Sequence, residues 1–323
     1  MSKKNSIKPY PVLFLMAACF LCVAPIAAQD YPKGSIQLVV PFAPGGATDI
    51  FWRTLGDYFS KNLNAPLSIV NKPGGGGIVG MSTVVNSKPD GYTVCGGPSD
   101  TLNVTPLFTK DIPFDTINDL TYISKLAIFP LGMAVRTESP FKTMEDVIAF
   151  ARANPKTVNA GIPGVGTSVH MAAHTFNRDA KVDITTVAFG GGGEVVTQIL
   201  GGHVDLAFLS MPAVKAQYDA GKIRYLAFFA KQRHPLYPKI PTAVEKGLTR
   251  TIVEVSIGLV GPKGLPPAVV KKWEEVSQMT MKDPNVVSAV HKFDYIVDFK
   301  PGEAYKKEIV EEFANFKELM GKK

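Results

Sequence analysis

The chain has 323 residues, 46% hydrophobic and 20% charged, with a formal net charge of +7. This composition excludes a disordered, fibrous or polytopic chain and leaves room for about two domains of roughly 150 residues each. The basic excess is dispersed, in pairs no longer than Lys271-Lys272 or Lys306-Lys307, which suits a small anionic partner and falls short of a nucleic-acid footprint.

The first 28 residues stand apart. Lys3, Lys4 and Lys8 precede an apolar run from Val12 to Ile26, and the segment closes Pro25-Ile26-Ala27-Ala28. This is the pattern of a secretory signal peptide, cleaved after Ala28. The run is shorter than the ~20 residues that a retained span needs, and Met16-Ala17-Ala18 before Cys19 is a loose lipobox that leaves lipidation of Cys19 or Cys22 as a rival. Cleavage removes three lysines and no acids, taking the net charge from +7 to +4. It also leaves Cys95 as the one cysteine of the mature chain, which excludes an internal disulfide; in a strand pattern it reads as a buried small apolar residue.

The mature chain opens on the β-branched run Ile36 to Val40, followed by Pro41-Phe42-Ala43-Pro44-Gly45-Gly46-Ala47-Thr48-Asp49 and an amphipathic helix to Leu63. Strand, Pro/Gly turn and helix in that order place the turn at the carboxyl end of the strand, where open α/β sheets bind ligands. Gly45 and Gly46 allow close backbone approach, and the helix start offers unpaired N–H groups and a positive dipole end. The pattern repeats with a strand over Leu67 to Val70, a turn Asn71 to Gly77, a helix through Val85, and a third strand over Tyr92 to Gly96. Three such units predict a parallel sheet with crossover helices. The third turn, Gly97 to Asn103, is rich in hydroxyl and amide groups, with Ser99 and Asn103 as candidates.

After two apolar stretches split by Pro130 the architecture restarts. A helix from Thr143 and a strand over Thr157 to Gly161 lead to Ile162-Pro163-Gly164-Val165-Gly166-Thr167-Ser168 and a further helix. Strands over Ile184 to Ala188, Val204 to Leu209 and Tyr225 to Ala230 follow, with a helix over Glu194 to Leu200. A last strand over Val253 to Val260 precedes helices over Ala268 to Met281, Pro284 to Lys292 and Gly302 to Met320, with no strand expected between them. Those helices pack back most economically on the first domain. The expected organisation is therefore a leader over 1–28, a discontinuous first domain over 29–124 and 252–323, and a second over 125–251.

The glycine turns do not have dinucleotide or P-loop spacing: Gly161-x-x-Gly164-x-Gly166 differs from G-x-G-x-x-G, and no Gly-Lys-Ser/Thr follows any turn. No cofactor is expected. Asp49 can stabilise the helix start or face the ligand through water. Thr167 and Ser168 can cap their helix or hold an anion. His170 and His174 have metal-compatible spacing without a third ligand, so no metal is expected. Phe42 and Phe189 each adjoin a glycine turn and are candidates for cleft walls. Asp205 reads as structural.

The ordered set of Pro41 to Asp49 with Arg53, Asn71 to Gly77, Pro89-Asp90-Gly91-Tyr92-Thr93, Gly164 to His170 and Gly201-Gly202-His203-Val204-Asp205 resembles the Bug or TctC family. These are periplasmic substrate-binding proteins of tripartite tricarboxylate transporters. The resemblance implies a type II periplasmic-binding-protein fold, in which two α/β domains close on a cleft like a flytrap. It implies a small carboxylate ligand held at Gly45, Gly46, Thr48 and Asp49 and at Gly164, Gly166, Thr167 and Ser168, with Ser99 and Asn103 as further positions. It also implies handover to membrane permease subunits by a monomer that is not an enzyme. The chain departs from the family where Ala188-Phe189-Gly190-Gly191 replaces a Pro-Tyr-Lys-Gly type stretch, which favours an aromatic or less charged ligand at that end, and Lys72 replaces the common Arg. Two alternatives stay open: a ligand-sensing protein for a membrane sensor, and a secreted hydrolase using Ser99, Thr167 or Ser168.

Overall fold

The computed structural model describes residues 31–234, 236–248 and 253–321. The expected leader and its cleavage point after Ala28 lie outside the described residues. Ile36–Val40 (β1) carries helices on both faces, which is why it reads as a nearly unbroken apolar run. Ala47–Leu63 (α1) follows and buries Phe51, Trp52, Leu55, Phe59 and Leu63 along one stripe. It ends where Asn64 turns left-handed, φ 55°, and the N–H groups of Asn64 and Ala65 return to the carbonyls of Lys61 and Ser60.

Leu67–Asn71 (β2) and Thr93–Pro98 (β3) pair parallel to β1 on its two sides, with Ile78–Val85 (α2) crossing between them. Gly96 is required in β3 because Trp52 lies directly on it: a Cβ there would come within 2.3 Å of the indole. Short helices Asp100–Asn103 (α3) and Thr105–Phe108 (α4) lead to Leu120–Phe129 (β4). Pro130 then separates β4 from Leu131–Arg136 (β5), which belongs to a second sheet. The chain thus stays in the first sheet past the expected 124/125 boundary, because β4 continues unbroken to the proline.

The second sheet is built from Met144–Ala153 (α5), Asn159–Ile162 (β6), Ser168–Ala180 (α6), Thr185–Ala188 (β7), Gly192–Leu200 (α7), Leu206–Ser210 (β8), Met211–Asp219 (α8) and Ile223–Phe228 (β9). The chain returns to the first sheet through Val255–Pro262 (β10), Pro267–Lys282 (α9), Pro284–His291 (α10), Ile296–Pro301 (β11) and Gly302–Leu319 (α11). The strand orders are β11-β4-β10-β3-β1-β2 and β7-β6-β8-β5-β9.

Both sheets are mixed. The expected parallel pairing holds within β1, β2 and β3 and within β6, β7 and β8, whereas β10 runs antiparallel to β3 and β4, and β5 to β8 and β9. β11 and α8 are among the elements absent from the sequence reading. β11 lies between α10 and α11, where no strand was expected; it is a half-buried edge strand whose Asp298 pairs with the buried Lys125 of β4 at 2.8 Å, so charges interrupt its apolar pattern. α8 has no counterpart in the sequence reading; its Pro212 lies in the first turn, where proline costs no hydrogen bond.

Candidate functional site

The first glycine turn is shaped by one carboxylate. Asp49, in the first turn of α1, accepts from the N–H of Gly45 at 2.9 Å, from Arg53 Nε at 2.9 Å and from Asn71 Nδ2 at 2.9 Å. Arg53 also donates to Asn71 Oδ1, and Asn71 to the carbonyl of Phe42. Burial alone would raise the Asp49 carboxyl; the hydrogen bonds from Arg53, Gly45 and Asn71 outweigh it and hold the group below its ordinary value. Gly45 takes φ +77°, and Gly46 caps α1 in extended conformation with no side-chain cap. The N–H groups of Ala47 and Thr48 therefore start the helix without a hydrogen-bond partner among the described residues.

The corresponding turn of the second sheet runs from Pro163 to Thr167. Thr167 caps α6 by accepting from the N–H of His170 at 3.2 Å, and its hydroxyl donates to the carbonyl of Gly164. Gly164 and Gly166 have φ of +127° and +75°. His170 Nδ1 accepts from the N–H of Gly166, and its ring packs on Phe108 at 4.3 Å. Burial, with His174 nearby, lowers its pKa to about 4, so it is neutral at pH 7. Among the described residues no group of three or more His, Cys, Asp or Glu side chains is placed to hold a metal.

The edges of the two sheets meet at these turns. Thr105 Oγ1 donates to the carbonyl of Gly166 at 2.7 Å, with the carbonyl of Gly76 at 3.0 Å on its other side. Gly76 passes so near the carbonyl of Val165 that a Cβ would stand 2.5 Å from it. Gly46 faces Gly192, the first residue of α7, whose nitrogen would lie 3.6 Å from an added Cβ. Like α1, α7 begins on a glycine with no side-chain cap. The starts of α1 and α7, one from each sheet, thus point at the same space.

That space is an inner cavity of about 50 Å³. Phe42, Pro98, Phe129, Leu131, Pro163, Val169, Leu209 and Val255 make it largely apolar, and Gly46, Ala47, Thr48, Thr167, Gly192, Ser210 and Asp100 complete the wall. Phe42 and Pro163 also border an outer cavity of about 280 Å³, lined by Gly74 to Gly77, Thr109, Gly164, Val165, Ala188, Phe189 and Gly190.

Of the residues expected from sequence, Phe42, Gly46, Thr48 and Thr167 line the inner cavity, and Phe42, Gly164, Phe189 and Gly190 the outer one. Gly45, Gly166 and Ser168 shape the turns beside them. Asp49, Ser99 and Asn103 line neither. Asp49 is held inside its own turn, Ser99 Oγ accepts from the N–H of Ser256 at 3.2 Å, and Asn103 donates to Glu312 at 2.6 Å. Asp205 is exposed and accepts from the N–H of Asn159 rather than sitting in a buried strand.

The residue that sequence reasoning missed is Asp100, although it stands in the polar third turn. It is 6% exposed and accepts from the N–H of Ser168 at 2.7 Å and from its hydroxyl at 2.6 Å. A carboxylate of the first sheet's unit thus occupies the start of α6 in the second. Burial raises its pKa and the Ser168 hydrogen bonds oppose that rise. Ser210, Phe129 and Leu131 were also missed; the last two flank Pro130, which sequence marks only as a break.

The family model for the tripartite tricarboxylate transporter family receptor matches residues 51–323. The "UPF0065 protein in gbd 5′region" of Cupriavidus necator is 34% identical over 297 residues, covering 91% of this chain and 89% of that protein. Among solved structures, one described as a periplasmic transporter is 31% identical with a TM-score of 0.87, covering 90% of this chain and 98% of its own. The malate-bound MatC of Rhodopseudomonas palustris is 25% identical with a TM-score of 0.85, covering 90% and 99%. The architecture is that of these binding proteins, and the chain belongs to the tripartite tricarboxylate transporter receptor family.

Proposed function

We propose that this protein is a periplasmic solute-binding protein that captures a small organic carboxylate and hands it, as a monomer, to the membrane permease subunits of a tripartite transporter. The observation that carries the reading is the pair of uncapped helix starts, α1 and α7, facing one cavity from opposite sheets. Unpaired N–H groups and two positive dipole ends in an apolar surround favour an anion there. The malate held by the similar MatC supports the ligand class.

The proposed mechanism is closure of two lobes, one on each sheet, about the chain crossings at Pro130 and before Val255. A ligand can drive closure only through differential affinity for the closed state. A carboxylate bridging α1 and α7 has that differential affinity, since it contacts both helix starts only when the edges meet. Export by the leader ending at Ala28 delivers the protein to the periplasm.

Gly46→Leu tests the seat. Gly46 has φ −82°, which any residue adopts, and its Cβ would meet nothing closer than 3.5 Å, so the fold should survive while the longer side chain fills the cavity. A thermal-shift screen of mono-, di- and tricarboxylates identifies a ligand, because binding raises the melting temperature by mass action. Titration calorimetry should then give no measurable binding in the variant. Undiminished affinity in Gly46→Leu would remove the proposed seat.

A further inference from the structure

Three helix starts converge on the inner cavity, and they are not capped alike. α1 and α7 each have a carboxylate in the first turn, but Asp49 is bonded to Gly45, Arg53 and Asn71 and Glu194 to the N–H of Gly190, so neither caps its own helix start, whereas the start of α6 holds the carboxylate of Asp100. Neither cavity has a lysine, arginine or histidine in its wall, and Asp100 is the acidic residue there. The basic side chains of the two glycine turns' helices are committed elsewhere: Arg53 of α1 is bound to Asp49 and Asn71, and His170 of α6 is neutral at pH 7.

We propose that Asp100 makes this site selective for monocarboxylates: by occupying the start of α6 itself, it leaves one anion seat, between α1 and α7, and repels a second carboxylate. The inference rests on the carboxylate reading above and narrows it. A dicarboxylate would have to place its second charge beside Asp100, or displace it from Ser168 and leave a buried carboxylate without partners, or carry that charge to the outer cavity, whose wall has no cation and where Glu194 is bonded to Gly190. A neutral tail meets none of these obstacles. From the α1–α7 seat it passes between Phe42 and Pro163, which border both cavities, and lies against Phe189 and the glycine loop from Gly74 to Gly77. The ligand class is therefore a small acid with one carboxylate and an uncharged, apolar or aromatic remainder.

The test uses acids matched in length and shape that differ in one charge: hexanoate against adipate, and benzoate against terephthalate. Titration calorimetry on the mature wild-type protein should give at least about tenfold tighter binding to the monoacid of a pair that binds, as expected for a like charge placed against a buried carboxylate. Asp100→Asn and Asp100→Ser should narrow that ratio by about tenfold, mainly through gained affinity for the diacid. Equal or tighter binding of the diacid by the wild type overturns the inference and leaves the carboxylate reading standing. A wild-type preference that persists unchanged in both variants overturns the assignment to Asp100. Binding of none of the four acids, nor of any acid in the wider thermal-shift screen, overturns the carboxylate reading and this inference with it. Circular dichroism checks that the variants fold, and the wild-type ratios decide by themselves if neither does.

Discussion

The carboxylate of Asp49 accepts a hydrogen bond from the backbone N–H of Gly45 at 2.9 Å, closing the first glycine turn from inside. The side chain that sequence offers as a ligand contact thereby holds the shape that a ligand would meet. Asp49→Ala leaves Gly45, Arg53 and Asn71 without their shared acceptor and should destabilise the protein by about 3 kcal/mol, measured by urea unfolding. Asp49→Asn, which keeps an acceptor but loses the charge, should cost about half of that. The sign with pH follows from the lowered carboxyl. Its contribution is fully present above the ordinary value of 3.8 and is lost as pH falls through the lower folded value, so Asp49→Asn should flatten the acid limb of the stability profile.

Gly76 takes φ +64°, and a Cβ on it would stand 2.5 Å from the carbonyl of Val165 across the cleft. Gly76→Ala should therefore cost about 1 kcal/mol of stability from the left-handed backbone. It should cost more in closure, because the clash exists only when the two edges meet. Small-angle scattering with saturating ligand should show a larger radius of gyration than in the wild type, with affinity weakened at least about tenfold. A variant as compact as the wild type would show that the edges can meet without this approach.

Behind α3, Asn103 donates to Glu312, and that carboxyl is raised to about 7, first by burial and then by the neighbouring Glu308. A carboxyl raised on folding favours the protonated native state. Its contribution is fully present below the unfolded value near 4.5 and is lost as pH rises through about 7. Glu312→Gln keeps an acceptor for Asn103 without the charge. It should leave stability at pH 5 nearly unchanged and raise it at pH 8 by on the order of 2 kcal/mol, seen in the difference between denaturation midpoints at the two pH values.

Trp52 of α1 lies on Gly96 of β3, and its Nε1 is buried without a partner among the described residues. Gly96→Ala should overpack this contact and destabilise by about 3 kcal/mol. Trp52→Phe should recover part of the loss, since the smaller ring clears the added methyl and has no N–H to satisfy. The double-mutant cycle should give a coupling energy of about 1 kcal/mol or more; additive losses would show that the two residues do not share the contact.

The sequence by itself determined the units in which neighbours decide conformation. The β1 run, the Pro/Gly turn and the α1 stripe are each set by residues a few positions apart, and α1 runs to the expected Leu63. The same locality explains why β11 was missed: it carries charges whose partners lie on β4 and α11. The glycine turns were legible as turns of close backbone approach, and they line the cavities, because only glycine reaches a φ such as +127° at Gly164 without strain. Tertiary structure alone decided what each side chain does there. It turned Asp49 inward, gave Asn103 to Glu312, and brought Asp100 to Ser168 from a separation of 68 residues. A carboxylate's role depends on which donors surround it and on how far water is excluded, and both are set by the meeting of two sheets that local pattern does not encode.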